Sequence, residues 1–292
     1  MFREIVQDLK YQVRVGGFWV SIILLCALVF IIINFSNSYF IITHREELGF
    51  ENPILKYISL SSSWSFDLTH IWVWITHLFT HQGFFHILFN MLNLYWFGMI
   101  VEDLIGKKHA ITIFFEAGLM GGIFFLLSCS LLPWYQNQQI IAYGASSSVM
   151  GLIIAAATIS PNYNIRLIII GNVALKYVAI VLLFIDLLFL GQMDNSGGHA
   201  SHIGGAFLGY VYINLLRNGI SLSPSDWFIK PFIASQKNSR YYVPEQKKSI
   251  PTYTEIEDPE NKLNRILEKI KKSGINSLSN EEQKFLDQLA GK

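Results

Sequence analysis

The chain has 292 residues, of which 52% are hydrophobic and 15% are charged, and its mean hydropathy is positive. This composition is too apolar for an ordinary soluble domain and predicts a membrane protein. The net charge of +1 argues against a nucleic-acid partner, which would require a concentrated basic face.

Six apolar segments are candidates to cross a bilayer, which takes roughly 20 residues of helix. They lie near residues 15–36, 84–102, 110–132, 146–160, 165–190 and 200–217. The fourth and sixth are short and rich in Gly, Ala and Ser, which indicates helices surrounded by other helices. The first is too long for a signal-peptide core, so an uncleaved helix is expected. The sequence therefore predicts an all-α, multi-pass membrane protein with six transmembrane helices.

The distribution of Lys and Arg predicts how these helices are oriented. Basic residues occur before the first span, between spans two and three, after span four and throughout the C-terminal part of the chain. The three remaining loops, 37–83, 133–145 and 191–199, contain only Arg45 and Lys56. By the positive-inside rule both termini, including residues 1–14, are predicted to be cytoplasmic. Spans two, four and six then all run from outside to inside.

Two polar regions and one long loop complete the predicted organisation. The aromatic-rich loop 37–83 is expected to lie in the membrane interface. Residues 221–260 contain five prolines and predict a flexible linker. Residues 261–292 predict a small cytoplasmic helical hairpin, with Gly274 between its helices and a capping box formed by Ser279 and Glu282. So small a unit is expected to pack on a cytoplasmic partner or weakly on itself. The apolar stripe of its first helix comprises Leu263, Ile266, Leu267 and Ile270.

Polar side chains occur at the predicted outer ends of spans two, four and six. They are His86 and Asn90 in span two, Ser146, Ser147 and Ser148 in span four, and His199 and His202 in span six. Taken singly, each is expected only to pack or to form hydrogen bonds between helices. Their common depth and side predict a shared functional site, because polar groups in a membrane are costly and usually face a cavity or one another.

The residue types at this site indicate acyl-transfer chemistry. A serine hydroxyl becomes a nucleophile when a neighbouring base takes its proton, and histidine is the commonest such base. The resulting oxyanion needs hydrogen-bond donors, which His86, Asn90 and the backbone at the start of span four could supply.

Five short stretches in a set order carry a family resemblance over about residues 60–217. They are "WVWITHLFTHQGFFH", "HILFN", "GMIVEDLIG", "GASS" followed by "VMG", and "HIGGAFLG". In this order they resemble the W-R-x-x-T, H-x-x-x-N, V-E-x-x-x-G, G-x-S-G and catalytic-histidine motifs of the rhomboid family of intramembrane serine proteases. Three positions differ from the pattern: Val73 replaces the arginine, Ser147 replaces the glycine after the nucleophile, and Met150 stands where an aromatic residue is common.

The resemblance implies a six-helix rhomboid-like bundle over residues 15–220 and a serine endopeptidase that uses no metal or cofactor. The implied mechanism is a Ser-His dyad without an aspartate. By motif register, Ser146 is the nucleophile, His202 the general base, and His86 and Asn90 the oxyanion-stabilising residues. The implied substrates are membrane proteins, cleaved through an acyl-enzyme near the outer ends of their transmembrane helices. The expected location is the bacterial inner membrane, and the hairpin resembles a cytoplasmic appendage of some bacterial relatives.

Two other functions are compatible with the same residues. A catalytically inactive rhomboid-like protein would bind client helices without cutting them. A metal-dependent membrane protein or transporter would gather histidines near the outer face, as listed here: His77, His81, His86, His199 and His202. Glu116 and Asp186, in spans three and five, are expected to have no catalytic role because neither lies at the outer end of spans two, four or six.

Overall fold

The structure is a computed structural model of the 292-residue chain. It describes residues 2–43, 53–135, 138–167, 171–190, 196–224 and 226, and in the C-terminal part 266–270, 278–279, 282–283 and 285–286. Two compact units, Met1–Val243 and Pro244–Lys292, divide the chain.

Helices account for most of the described part of the first unit. In chain order they are α1 (Phe2–Thr43), α2 (Pro53–Ile58), α3 (Trp64–Thr69), α4 (Val73–Thr76), α5 (Phe84–Ile105), α6 (Lys107–Leu131), α7 (Ser146–Ile159), α8 (Leu175–Phe189) and α9 (Ser196–Arg217). Single 3-10 turns follow α4 at His77–Phe79 and α6 at Pro133–Tyr135. Gly17 interrupts α1 with a non-helical conformation.

Three of the described helical segments are long and apolar enough to cross a membrane. They are Gly17–Thr43 of α1, α5 and α6. Helix α7 is apolar but has 14 residues, and it begins at the residue predicted from the sequence, as α5 does. The structure therefore agrees with a mostly helical integral membrane protein.

The expectation of an all-α chain is wrong in two places. The strands β1 (Leu60–Ser61) and β2 (Ile141–Ala142) pair antiparallel, as do β3 (Asn164–Leu167) and β4 (Gly171–Ala174). The second pair occupies the start of the predicted fifth span, so α8 begins at residue 175 instead of 165. Hydropathy alone does not separate a short apolar strand from a helix, and Gly171, at φ 85°, adopts a conformation that favours glycine.

Helix α9 packs tightly on α7 because glycines let the two backbones approach. A Cβ atom on Gly205 would lie 2.0 Å from the carbonyl oxygen of Ser147, and one on Gly209 would lie 2.2 Å from that of Gly151. This close packing agrees with the sequence-based expectation that these two helices, rich in small residues, are surrounded by other helices. It brings the first turn of α7 against the first half of α9.

Helix α1 is attached to α5 by a buried tryptophan. The Trp19 indole is fully buried and its Nε1 donates a hydrogen bond of 2.7 Å to the Glu102 carboxylate. A Cβ atom on Gly98 would lie 2.6 Å from the Trp19 ring. This contact gives Glu102 of the "VED" stretch a structural role.

The segment between α1 and α5 folds back on itself through polar contacts. The Asp67 carboxylate accepts hydrogen bonds from the Ser61 N–H at 3.0 and 3.2 Å. The Trp74 indole donates to the Asp67 carbonyl at 3.2 Å, and the Thr76 hydroxyl donates to the Ile58 carbonyl at 2.9 Å. These contacts hold the short helices together; their placement in the membrane interface stays a prediction.

The second unit is described in part. Residues 266–270 are helical, with Ile266 fully buried. The predicted capping box is confirmed: the Ser279 N–H donates to the Glu282 carboxylate at 2.8 Å, and the Glu282 N–H donates to the Ser279 hydroxyl at 3.3 Å. Hydrogen bonds from Lys269 and from the Ser279 backbone lower the pKa of Glu282 to about 2. Leu263 and Gly274 lie outside the described residues, and the complete hairpin stays a prediction.

The predicted linker 221–260 lies outside the described residues except for 221–224 and 226. Within that short part, the Asp226 carboxylate accepts hydrogen bonds from the Lys108 ammonium and the Ser221 hydroxyl. The chain that follows α9 is thus attached to the start of α6.

Candidate active site

A cavity of about 620 Å³ lies at the end of the first unit where α5, α7 and α9 begin. Its lining includes His86, Gly144, Ser146 and, from α9, Gly197 and Ser201. The ribbon of β1 and β2 and the side chains of Phe125 and Tyr135 form other walls. The Tyr135 hydroxyl accepts a 2.5 Å hydrogen bond from the Gly197 N–H, which attaches the start of α9 to the segment after α6.

The three consecutive serines have different surroundings. Ser146 is half-buried and lines the cavity. Ser147 is 2% exposed and packs against Gly121, where a Cβ atom would lie 2.4 Å from the Ser147 Cβ. Ser148 is fully buried against Gly118, and its hydroxyl has no hydrogen-bond partner among the described residues. Of the three, Ser146 is the one that a substrate in the cavity could reach.

His86 lies directly against the backbone that precedes Ser146. Gly144 has a φ of 124°, and a Cβ atom on it would lie 2.8 Å from His86 Nε2. The motif glycine is therefore needed both for its backbone conformation and for the space that the imidazole occupies.

Asn90 follows His86 by one helical turn. Its side-chain Nδ2 donates a 2.9 Å hydrogen bond to the His86 carbonyl oxygen, and the residue is buried. One N–H of the amide is therefore engaged within α5, which leaves the second as a donor.

Two histidines of the preceding segment hold the turn before α7. The Gly144 N–H donates to the His77 carbonyl at 2.8 Å, and the Ala145 N–H donates to His81 Nε2 at 3.3 Å. Burial lowers the pKa of His77 to about 4 and that of His81 to about 3, with the nearby His86 adding to the second effect. Both imidazoles are thus neutral near pH 7, and they support the loop that carries Ser146.

His202 lies in the second turn of α9, next to the cavity-lining Ser201. Among the described residues no hydrogen bond joins His202 to Ser146. The structure thus brings His86 and Ser146 to one cavity and places His202 beside it.

Asp186 also lies in this region, which the sequence did not predict. It lies in the last turn of α8, and its Oδ1 is 2.8 Å from Nδ1 of His202 and 2.8 Å from Nδ1 of His199. The sequence predicts a site at the outer ends of spans two, four and six, whereas the C-terminal end of α8 also contacts His202. The sequence feature that could have indicated this contact is the three-residue spacing of His199 and His202, which places both on one helix face.

Asp186, His199 and His202 also form a group that could hold a metal ion within the described residues. One ligand atom from each lies within 4.8 Å of the others. Asp186 Oδ1 already hydrogen-bonds to Nδ1 of both histidines, so the arrangement does not require a metal.

The model of the "Rhomboid domain" family matches residues 68–219 of the chain. The chain belongs to the rhomboid family. This match covers more than half of the residues and includes α5 to α9, together with the cavity-lining residues named above except those of β1. A second model, a family of unknown function (DUF6576), matches residues 257–292.

Relatives of this rhomboid include proteins named as proteases and one named as inactive. The chain is 29% identical to RHOMBOID-like protein 5 of Arabidopsis thaliana over 49% of its own length and 44% of that protein. It is 26% identical to Rhomboid protease GlpG of Haemophilus influenzae over 57% of its length and 80% of that protein. It is also 27% identical to Inactive RHOMBOID-like protein 8 of Arabidopsis thaliana, over 45% and 36% of the two chains. The matched part thus spans less than half of each plant relative.

Proposed function

We propose that this rhomboid is an intramembrane serine endopeptidase in which Ser146 is the nucleophile and His202 is the general base. The observation that carries the proposal is the exposure of Ser146, alone of the three consecutive serines, to the cavity that His86 also lines. Membership of a family whose relatives include Rhomboid protease GlpG supports the reaction class.

The proposed reaction proceeds in two steps. His202 takes the Ser146 Oγ proton as Oγ attacks the carbonyl carbon of the scissile peptide, and the imidazolium then protonates the leaving amine. Water hydrolyses the acyl-enzyme with His202 again as the base. His86, the free N–H of Asn90 and the first backbone N–H groups of α7 are the proposed donors to the oxyanion.

The proposed setting is a six-helix bundle in which α1, α5, α6, α7, α8 and α9 cross the membrane. The distribution of Lys and Arg supports a cytoplasmic location for both termini and for the C-terminal hairpin. The bacterial inner membrane is the proposed location. The substrates are transmembrane helices cleaved near their outer ends, and the hairpin binds a cytoplasmic partner.

The test is covalent labelling of the purified, detergent-solubilised chain with a fluorophosphonate serine probe. Wild type is expected to be labelled, and Ser146→Ala and His202→Ala are expected to lose labelling while keeping the wild-type melting temperature. Ser148→Ala is the matched control, because it removes a neighbouring hydroxyl that the cavity does not reach.

Two outcomes would contradict the proposal. Labelling that survives Ser146→Ala but is lost in Ser148→Ala would show that the nucleophile is Ser148 and not Ser146. A folded wild-type protein that is not labelled would favour a rhomboid that binds client helices without cutting them.

A further inference from the structure

Asp186 is a buried acidic side chain on a helix whose other side chains are mostly exposed or half-buried. Helix α8 exposes large apolar side chains along most of its length, as expected for a helix at the edge of a membrane bundle. Asp186 is 3% exposed and faces α9, where it meets His199 and His202. A carboxyl group at this place is costly unless hydrogen bonds compensate its burial, which points to a specific role.

The hydrogen bonds of Asp186 define which nitrogen of each imidazole carries the proton. Both Nδ1 atoms approach the same oxygen, Oδ1. A hydroxyl at Oδ1 could donate to one nitrogen only, whereas an Oδ1 that carries no proton accepts from two N–H groups. The arrangement that satisfies both imidazoles is therefore an Oδ1 without a proton that accepts from Nδ1–H of both histidines. His202 Nε2 then carries the lone pair.

We propose that Asp186 is a positioning residue that holds His202 in the tautomer needed by a general base, an inference that rests on the proposed function. When His202 Nε2 takes the Ser146 proton, the imidazolium carries N–H groups at both nitrogens. The Asp186 Oδ1 lies against the Nδ1–H of this imidazolium. The proton then passes from Nε2 to the leaving amine, and His202 returns to its starting tautomer.

His199 also restricts the orientation of the Asp186 carboxylate. Its imidazole stacks on Phe189, with ring centroids 5.9 Å apart, and donates to the same Oδ1 as His202. Turning the Asp186 side chain would break both hydrogen bonds at once. Oδ2 has no hydrogen-bond partner among the described residues, so the orientation of the carboxylate depends on this pair of histidines.

The first experiment compares Asp186→Asn with Asp103→Asn in the full-length, detergent-solubilised chain. Asp103 undergoes the same chemical change at an exposed position of α5. Asp186→Asn is expected to slow fluorophosphonate labelling of Ser146 by at least about tenfold and at most about 10⁴-fold, because a neutral amide does not stabilise the imidazolium and favours the wrong tautomer. Asp103→Asn is expected to label at the wild-type rate, and all three proteins are expected to melt at similar temperatures.

A second readout distinguishes positioning from a purely structural role. ¹⁵N spectra of histidine-labelled protein report which ring nitrogen is protonated, and His202→Ala assigns the signal. Wild type and Asp103→Asn are expected to show the Nδ1–H tautomer at His202, and Asp186→Asn is expected to lose it. The Nε2–H tautomer in wild type would overturn the inference.

The labelling results separate failure of the inference from failure of the proposed function. Wild type that does not label at Ser146 would overturn both. Wild-type and Asp186→Asn proteins that label equally fast would overturn the role of Asp186 alone. Loss of labelling on chelation with EDTA, restored by Zn²⁺, would assign Asp186, His199 and His202 to a metal instead.

Discussion

Gly144 sits two residues before Ser146, and its missing side chain is what lets His86 reach the turn. The φ of 124° lies in a region that favours glycine, and a Cβ atom would lie 2.8 Å from His86 Nε2. The proposed oxyanion geometry therefore depends on this residue as much as on the histidine.

Replacement of Gly144 by alanine is expected to lower the rate of fluorophosphonate labelling by at least about tenfold, since a misplaced catalytic group costs orders of magnitude. Gly83→Ala is the matched control, because its new Cβ would also approach His86 but at an ordinary contact distance of 3.6 Å. The rates of both variants are measured against wild type. Equal loss in both would contradict the specific role of Gly144.

A second prediction at the residue scale concerns His81 and the dependence of stability on pH. Burial, with a smaller effect of His86, lowers its pKa in the folded chain to about 3 from an ordinary value of 6.5. As the pH falls, the His81 imidazole therefore becomes protonated in the unfolded chain before it does so in the folded chain. The contribution of neutral His81 to the free energy of unfolding is fully present above pH 6.5. It is lost as the pH falls toward 3, at about 1.4 kcal/mol per pH unit.

His81→Gln removes this titration while its amide oxygen can still accept from the Ala145 N–H. The melting temperature of wild type in detergent is expected to fall more steeply than that of His81→Gln between pH 6.5 and pH 4. Parallel curves for the two proteins would show that His81 is not buried as a neutral imidazole.

At the scale of helices, α6 compensates for the serine that replaces the motif glycine after Ser146. The Ser147 side chain occupies space that Gly121 leaves empty, and Gly205 lies against the Ser147 carbonyl. A hydroxymethyl group therefore fits between α6, α7 and α9 without separating them. The serine that replaces the motif glycine is therefore sterically compatible with the packing of these three helices.

A double-mutant cycle tests this compensation. Gly121→Ala would place a Cβ atom 2.4 Å from the Ser147 Cβ and 2.8 Å from the Ser201 Oγ, and overpacking of this kind costs about 1–3 kcal/mol. Adding Ser147→Gly is expected to restore part of the melting temperature, since it removes the nearer contact but leaves that with Ser201. Strictly additive effects would contradict direct packing of the two residues.

For the whole molecule, the proposed orientation can be tested with introduced cysteines. Cys26 and Cys129 are buried, whereas Lys107 and Gln139 are exposed at opposite ends of α6 and its following loop. In intact cells a membrane-impermeant maleimide is expected to label Gln139→Cys and to label Lys107→Cys only after permeabilisation. The reverse pattern would invert the proposed topology.

Local sequence patterns predicted much of this architecture. The start of α5 matches because Gly83 caps a largely apolar run, and α7 begins where three serines precede another such run. The Ser279 and Glu282 capping box was predictable because it depends on residues three apart. The β3 and β4 ribbon was missed because a short apolar strand and the first turns of a helix have similar hydropathy.

Composition, apolar runs and ordered motifs determined by themselves that this is a membrane protein of the rhomboid family, and they predicted Ser146, His86, Asn90 and His202 as its site. These signals are local, since each depends on residue type and on spacing along one helix. Tertiary structure alone decided that Ser146 is exposed to a cavity while Ser147 and Ser148 are buried. It also decided that Asp186 meets His202, because that contact joins two helices whose relative rotation depends on packing between their surfaces.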